Sequence, residues 1–333
     1  MTAPIYEGFG MITVNRCPMC NSESLEVIKT TRFFCPGNRV KDNLIDINYV
    51  RLWILFEKIL NNKSPVEFYS TVCKSCGFIF TNPRLTAEEI SIKYAMINEL
   101  GSVKKRFKEH PASNLDMRAK RIYSLIRSVH KAAGESLRVL DYGGASGYNL
   151  IPFVENGNFC YILDYEKWDL PSGIEYLGKD LTVLQNNDFF DVTLLLHTLE
   201  HVVEPKHFLQ DVSAHLSESG LLYVEIPFGC FREYKNLAEP STHLNFFSEE
   251  SIYKGFDSIG LSVVYLSTEY QWVTHGKMWC INIVGSRRKG ENVITKHKTT
   301  KYQMNNIGYY WQLIMNKMIS NLKVVHSTLP RFS

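Results

Sequence analysis

Apolar positions change their period several times along this chain. At Leu115, Ala119, Ile122, Ile126 and Val129 they mark one face of a helix. Ser113 or Asn114 is available to cap its start, and Gly134 lies just past its end. Short apolar runs then alternate with helical spacing. RVLDY predicts a strand, 146–156 a helix, CYILDY a strand, IEYLG a short strand and DVTLLLH another strand. Residues 205–217 read as a helix with Pro205 in its first turn, and LLYVEIP as the strand after it. Ser248 with Glu249 and Glu250 opens a further helix that Gly260 closes. LSVVYLSTEY and KMWCINIVG follow with almost nothing between them, a hairpin that adds one antiparallel strand. The alternation predicts an α/β fold with a doubly wound, mostly parallel, Rossmann-like sheet.

The flanks differ from this body. Residues 1–88 hold two CxxC pairs, Cys17/Cys20 and Cys73/Cys76, with turn-rich ends and an apolar patch at 40–63 that suggests an inserted helix. They are expected to form a small metal-stapled domain. Residues 89–134 are a helical linker, 135–286 the main domain, and 287–333 a basic linker with a final amphipathic helix. Ile307, Trp311, Ile314, Met318 and Leu322 form that helix's apolar stripe. It either packs on the body or makes a homodimer or membrane-surface contact.

The chain has 333 residues, 45% of them hydrophobic, enough for a full domain and a smaller one. Its net charge of +3 argues against an electrostatic nucleic-acid binder. No basic, apolar leader and no membrane-length apolar run is evident, so a cytoplasmic protein is expected. In a reducing compartment the paired cysteines read as metal ligands, while Cys160 and Cys280 sit in apolar runs as core thiols.

The candidate chemistry centres on VLDYGGASGYN, residues 139–149. A dinucleotide turn needs GxGxxG, but counting from Gly143 puts Ala145 at the second glycine position and Tyr148 at the third. A phosphate loop needs a lysine after its glycines, and none follows. Asp141 at the strand end would repel a pyrophosphate and favour a ligand with a sulfonium or ammonium charge. S-adenosylmethionine carries both. Gly143, Gly144, Ala145 and Gly147 keep the loop thin, Asp164 is placed for ribose hydroxyls, and Asp180 falls near the adenine edge.

VLDYGGASG, YILDY, FFDVTLLLHTLEHVVEP, GLLYVEIP and HLNFFSEESIYKGFDSIGLSVV together resemble the class I S-adenosylmethionine-dependent methyltransferases. That resemblance implies a seven-stranded sheet and methyl transfer. With CPMC and CKSC ahead of it, the order is similar to bacterial methyltransferases of deoxysugar and surface-polysaccharide pathways, whose N-terminal domain binds structural zinc and helps form a nucleotide-sugar site. STHLNFFS places His243 where the sugar C-methyltransferases carry a proposed catalytic histidine, with Thr242 in place of their acidic residue.

Four thiolates, from Cys17, Cys20, Cys73 and Cys76, suffice for one tetrahedral zinc site. For the base that methyl transfer requires, His243 comes first and His201 second, with Glu239 and Glu225 as acidic alternatives and His197 at the cofactor edge. Tyr94 is either a lid over the cofactor or a packing residue. Nucleic-acid methylation is disfavoured: LLLHTLEH replaces an NPPY-like turn, and IPFGCF lacks a Pro-Cys nucleophile.

Overall fold

The chain's first strands form an antiparallel sheet of their own. In the computed structural model, which describes residues 10–36, 47–99, 112–130, 135–228, 233–235, 237–274 and 276–288, β1 (Leu25–Phe33), β2 (Val66–Cys73) and β3 (Ile79–Asn82) pair in sequence order. Cys230 and the C-terminal stripe lie outside the described residues. The apolar patch between the CxxC pairs is helical, α1 (Ile47–Ile54), continued by a π turn at Leu55–Ile59. Leu55, Phe56 and Ile59 bury themselves against Phe33, Val66 and Phe68 of the sheet. α2 (Ala87–Glu99) starts from a reciprocal cap, in which the Glu89 amide donates to Thr86 Oγ1 at 3.1 Å and the Thr86 amide to Glu89 Oε2 at 2.7 Å.

α3 (Ala112–Val129) leads into the main sheet, starting at Ala112 rather than at the expected Leu115, so Ser113 and Asn114 lie inside its first turn. The strands are β4 (Arg138–Tyr142), β5 (Phe159–Leu163), β6 (Ile174–Gly178), β7 (Phe190–Leu196) and β8 (Leu216–Pro227). With the hairpin β10 (Ser262–Val273) and β11 (Gly276–Ser286) they form a seven-stranded sheet, order β10-β11-β8-β7-β4-β5-β6. β4 to β8 run parallel, and β11 lies antiparallel against both β8 and β10. The strand order turns back at β4, which places the crevice beyond its carboxyl end. Helices α4 (Ile151–Glu155), α5 (Pro205–Ala214) and α6 (Glu249–Ser258) complete the layers. α5 stops short of residue 217 because Leu216 already pairs with Phe190 in the sheet. At α6, Ser248 and Ser251 cap each other reciprocally.

The N-terminal sheet is completed by a piece of the main domain. β9 (Asn245–Phe246) pairs with β3, Ile79 opposite Phe246. The Asn245 side chain donates to Leu199 O at 2.9 Å and to Val202 O at 2.7 Å, and accepts from Arg84 Nη2 at 2.8 Å. Arg84 is fully buried and also donates to the carbonyls of Val202 and Val203. The cysteine turns dock nearby in the same apolar core as α5, α6 and β8. Gly255 makes this contact close: a Cβ there would stand 2.3 Å from Met19 Cε. Asn245→Ala leaves two buried carbonyls and a guanidinium short of a partner, and is expected to lower stability by about 2 kcal/mol in urea unfolding followed by circular dichroism.

Candidate functional site

The loop after β4 folds back on its own strand. The Gly143 amide donates to Leu163 O at 2.7 Å and the Gly147 amide to Gly144 O at 2.9 Å. A Cβ on Gly144 would stand 2.8 Å from Asp141 Cγ, so only glycine lets the loop lie over that carboxylate. Asp141 is wholly buried, and neither of its oxygens has a hydrogen-bond partner among the described residues. Burial pushes its carboxyl up to about 7, against the pull of Arg118. Asp164 accepts from the Ala145 amide and the Glu166 amide, each at 3.0 Å, which ties the loop to the end of β5. Asp180 caps the short turn at Leu181–Val183 by accepting from the Thr182 amide at 2.9 Å. Asp141, Gly143, Gly144, Ala145, Gly147 and Asp164 thus meet at one strand end.

S-adenosylmethionine fits these residues. A buried carboxylate without a donor suits a cationic ligand, and the glycine-thinned loop gives a narrow backbone wall. Tyr94, from α2, stacks on Tyr165 just past Asp164, ring centroids 5.3 Å apart at 15°. The N-terminal segment therefore reaches the same crevice.

A second group of side chains gathers around the turn after β7. The β3–β9 pairing and the Leu244 amide, which donates to Glu200 O at 2.9 Å, carry the 241–245 segment onto this turn. His201 and His243 stand with ring centroids 5.0 Å apart. His201 Nδ1 lies 2.8 Å from Thr242 O. Glu200 is 2% exposed. Burial opposes its charge, but His201 and His197 outweigh burial and hold its carboxyl at about 2. Burial presses His201 down to about 4, so its imidazole is neutral at physiological pH.

Glu239 is engaged otherwise. Its Oε2 accepts from the Ser241 amide at 2.7 Å and the Ser241 hydroxyl at 2.6 Å, and Arg51 lies 3.7 Å from Oε1. Buried Lys93 donates to Ser241 O and Thr242 Oγ1, and burial lowers its amine to about 8 although Glu239 counters. These charges brace the loop that presents His243.

His197 faces a third cluster that sequence reasoning did not foresee. Its Nε2 lies 3.3 Å from Glu225 Oε1 and its Nδ1 3.3 Å from Glu200 Oε1. Glu225, fully buried, accepts from Arg118 Nε at 3.0 Å, Gln271 at 2.9 Å, Tyr223 at 3.3 Å and Arg121. Burial works against that charge, yet Arg118, His197 and Arg121 hold Glu225 well below the usual carboxylate range. Cys280 Sγ lies 3.8 Å from His197 Nε2. Arg118 and Arg121, one helical turn apart on α3, were the available signal: two cations beside an otherwise apolar stripe demand a buried acid.

The four paired cysteines converge. Cys17 and Cys76 sulfurs are 3.7 Å apart, Cys20 and Cys73 3.5 Å, and all four lie within 4.8 Å of one another. Sulfurs around a tetrahedral zinc at bond lengths of about 2.3 Å sit about 3.8 Å apart. Both turns are knuckles: the Asn21 amide returns to Cys17 O at 2.9 Å and the Gly77 amide to Cys73 O at 2.8 Å. The set can hold a zinc ion.

Residues 117–266, from α3 into β10, match the family profile described as a methyltransferase domain. Among solved structures, a 1,6-didemethyltoxoflavin-N1-methyltransferase of Burkholderia thailandensis, bound to 1,6-didemethyltoxoflavin and S-adenosylhomocysteine, is 13% identical with a TM-score of 0.47, covering 63% of this chain and 94% of that one. A magnesium protoporphyrin IX methyltransferase of Synechocystis with S-adenosylhomocysteine is 15% identical, TM-score 0.40, over 56% of this chain and 87% of that one. An S-adenosylmethionine-dependent methyltransferase of Mesorhizobium loti is 16% identical, TM-score 0.42, over 52% of this chain and all of that one (100%). No curated protein matches the chain. Residues 117–266 thus carry a methyltransferase-domain match on a seven-stranded, mostly parallel sheet. The protein is a methyltransferase enzyme. No helix among the described residues is long and apolar enough to cross a membrane.

The raised pKa of Asp141 makes its buried charge a cost to the ligand-free fold. That cost is absent below about pH 4, grows as pH rises towards 7 and is complete above it. Asp141→Asn is therefore expected to stabilise the ligand-free protein by roughly 2–4 kcal/mol at pH 8 and by less at pH 5. The same variant should bind S-adenosylmethionine at least about tenfold more weakly by calorimetry.

Proposed function

We propose that this enzyme methylates a sugar nucleotide or sugar-derived small molecule, on oxygen or carbon, in surface-polysaccharide or deoxysugar synthesis in the cytoplasm. The observation that supports this reading best is the β3–β9 pairing: the cysteine-bearing sheet pairs with the strand next to His243, whose ring stands 5.0 Å from that of His201. A module of that kind adds recognition surface beside the reacting centre, as a substrate with a separate nucleotide handle requires.

In this reading Asp141 holds the cationic part of S-adenosylmethionine, the loop 143–147 lies along its amino-acid part, Asp164 receives the ribose and Asp180 borders the adenine. When bound, S-adenosylmethionine supplies an electrophilic methyl group on a sulfonium with a neutral thioether as leaving group. The chain's own work is to align the acceptor and draw off its proton. We assign that proton to the His201/His243 pair, His243 first. Glu239 is held by Ser241 and Arg51, and Glu225 by two arginines, so neither carboxylate is spare. His197 faces Glu225 and Glu200, where it braces the turn beside the cofactor.

Methyl-labelled S-adenosylmethionine incubated with a panel of nucleotide sugars, read by mass spectrometry, is expected to show label on one of them. Label on none, with S-adenosylmethionine bound, would overturn the sugar reading. His243→Ala should lower turnover about 100-fold or more with S-adenosylmethionine affinity retained.

We also assign Cys17, Cys20, Cys73 and Cys76 to one structural zinc. Elemental analysis is expected to find about one zinc per chain, and Cys76→Ser should lose it together with at least about 3 kcal/mol of stability. A folded, metal-free wild type would refute the assignment.

A further inference from the structure

We propose that Glu200, His201 and His243 form a second metal site, one that takes a borderline divalent cation of the first transition row. The inference rests on the reading of this pair of histidines as the acceptor-activating centre and deepens it. One oxygen and two nitrogen ligands, with their ligand atoms all within 4.8 Å of one another, are the donor set that such ions favour. Two of the three ligands are also prepared in a way that a packing role does not require.

Glu200 is almost wholly buried, and neither of its oxygens has a hydrogen-bond partner among the described residues. Imidazoles pair with its charge instead, His197 Nδ1 at 3.3 Å and His201 Nε2 at 3.8 Å. A carboxylate this deep ordinarily accepts two or more hydrogen bonds. His201 is oriented from behind: Nδ1 lies 2.8 Å from the carbonyl of Thr242, which can only accept. The proton of the neutral ring therefore sits on Nδ1, and Nε2 presents its lone pair on the Glu200 side. A carbonyl holding the far nitrogen is the usual outer support of a metal-bound histidine. His201 and His243 are half-buried, so the site is open to solvent on one side and leaves coordination positions for an outside ligand.

The cations that act on this loop, Lys93 and Arg51, are both drawn to Glu239. The other mixed cluster, His197, Glu225 and Cys280, lacks this preparation. Glu225 already accepts from two guanidiniums, Gln271 and Tyr223, all of which a cation would have to displace.

An ion held by two imidazoles and one carboxylate can take two neighbouring oxygens of an acceptor, so the site points to a vicinal diol, as sugars carry. With the ion bound, the histidines activate the acceptor through it and do not take the proton themselves; the hydroxyl proton leaves to water. The freed electron pair of that oxygen then forms the bond to the methyl carbon as the carbon–sulfur bond of S-adenosylmethionine breaks.

The test is a titration of the full-length, zinc-loaded protein with Co2+, followed by calorimetry and visible absorption. One Co2+ per chain is expected, with d–d bands and without the ultraviolet thiolate charge-transfer band of a cysteine site. Glu200→Gln and His201→Ala should each weaken binding by at least about tenfold. Glu200→Asp, which keeps the charge, should stay within a few fold of wild type and so separates ligand loss from misfolding. No Co2+ taken up, or uptake that neither Glu200→Gln nor His201→Ala changes, overturns the site. Calorimetry with S-adenosylmethionine on the same sample keeps the two readings apart: cofactor bound without Co2+ sinks the metal site alone, and Co2+ bound without cofactor sinks the methyltransferase assignment of the crevice.

Discussion

A buried asparagine and a buried arginine hold this enzyme's two sheets in register. Asn245 spends its amide on the carbonyls of Leu199 and Val202, and its oxygen on Arg84, whose own fork also reaches Val202 and Val203. Taking a guanidinium out of water is costly, and burial lowers the Arg84 pKa to about 10. Nη2 offsets part of that cost by meeting three acceptors, while Nε and Nη1 are buried with no hydrogen-bond partner among the described residues. With the clamp in place β9 can pair with β3, and the segment around His243 comes to rest against the turn after β7. Without it the N-terminal sheet and the crevice have no common frame.

Three buried carboxylates around the carboxyl ends of the main strands separate structural acids from those prepared for a guest. Glu225 is saturated by Arg118, Arg121, Gln271 and Tyr223, and serves to fasten α3 and the terminal hairpin to the sheet. Asp141 is as deeply enclosed, and neither of its oxygens has a hydrogen-bond partner among the described residues, whereas Glu200 is ion-paired with His197 at 3.3 Å. An unsatisfied buried acid disfavours folding, so its persistence at the head of a crevice marks a position where binding restores what folding gave up. In the proposed reading Asp141 answers to the cationic cofactor.

The alternation of strands and helices from RVLDY to KMWCINIVG was legible in the sequence because each element keeps one strong period, and the final hairpin betrayed its antiparallel strand by the lack of a helix between its runs. The ends of elements were less legible. Helix α5 reads as running to residue 217 from local pattern alone, but sheet pairing of Leu216 wins over helical spacing. The two cysteine pairs and the Asp141 loop are each made of close sequence neighbours, which is why their convergence was legible in advance. Glu200 and the Arg118–Glu225–His197 network depend on contacts across many residues and on the absence of partners, neither of which a linear pattern records. Glu239 looked like a candidate base for the same reason: its bonds to Ser241 and its closeness to Arg51 are invisible without the fold.

The short strand β9 also bears on how such enzymes can be recombined. Because residues 245–246 belong by sequence to the methyltransferase body and by hydrogen bonding to the cysteine sheet, the exchangeable unit is discontinuous. A chimera that swaps only the chain ahead of α3 would graft a foreign β3 onto a resident β9 and a foreign partner onto Asn245. Exchanging the N-terminal sheet between proteins of this architecture requires moving the N-terminal segment and the 237–247 loop together, as a single cassette in two pieces.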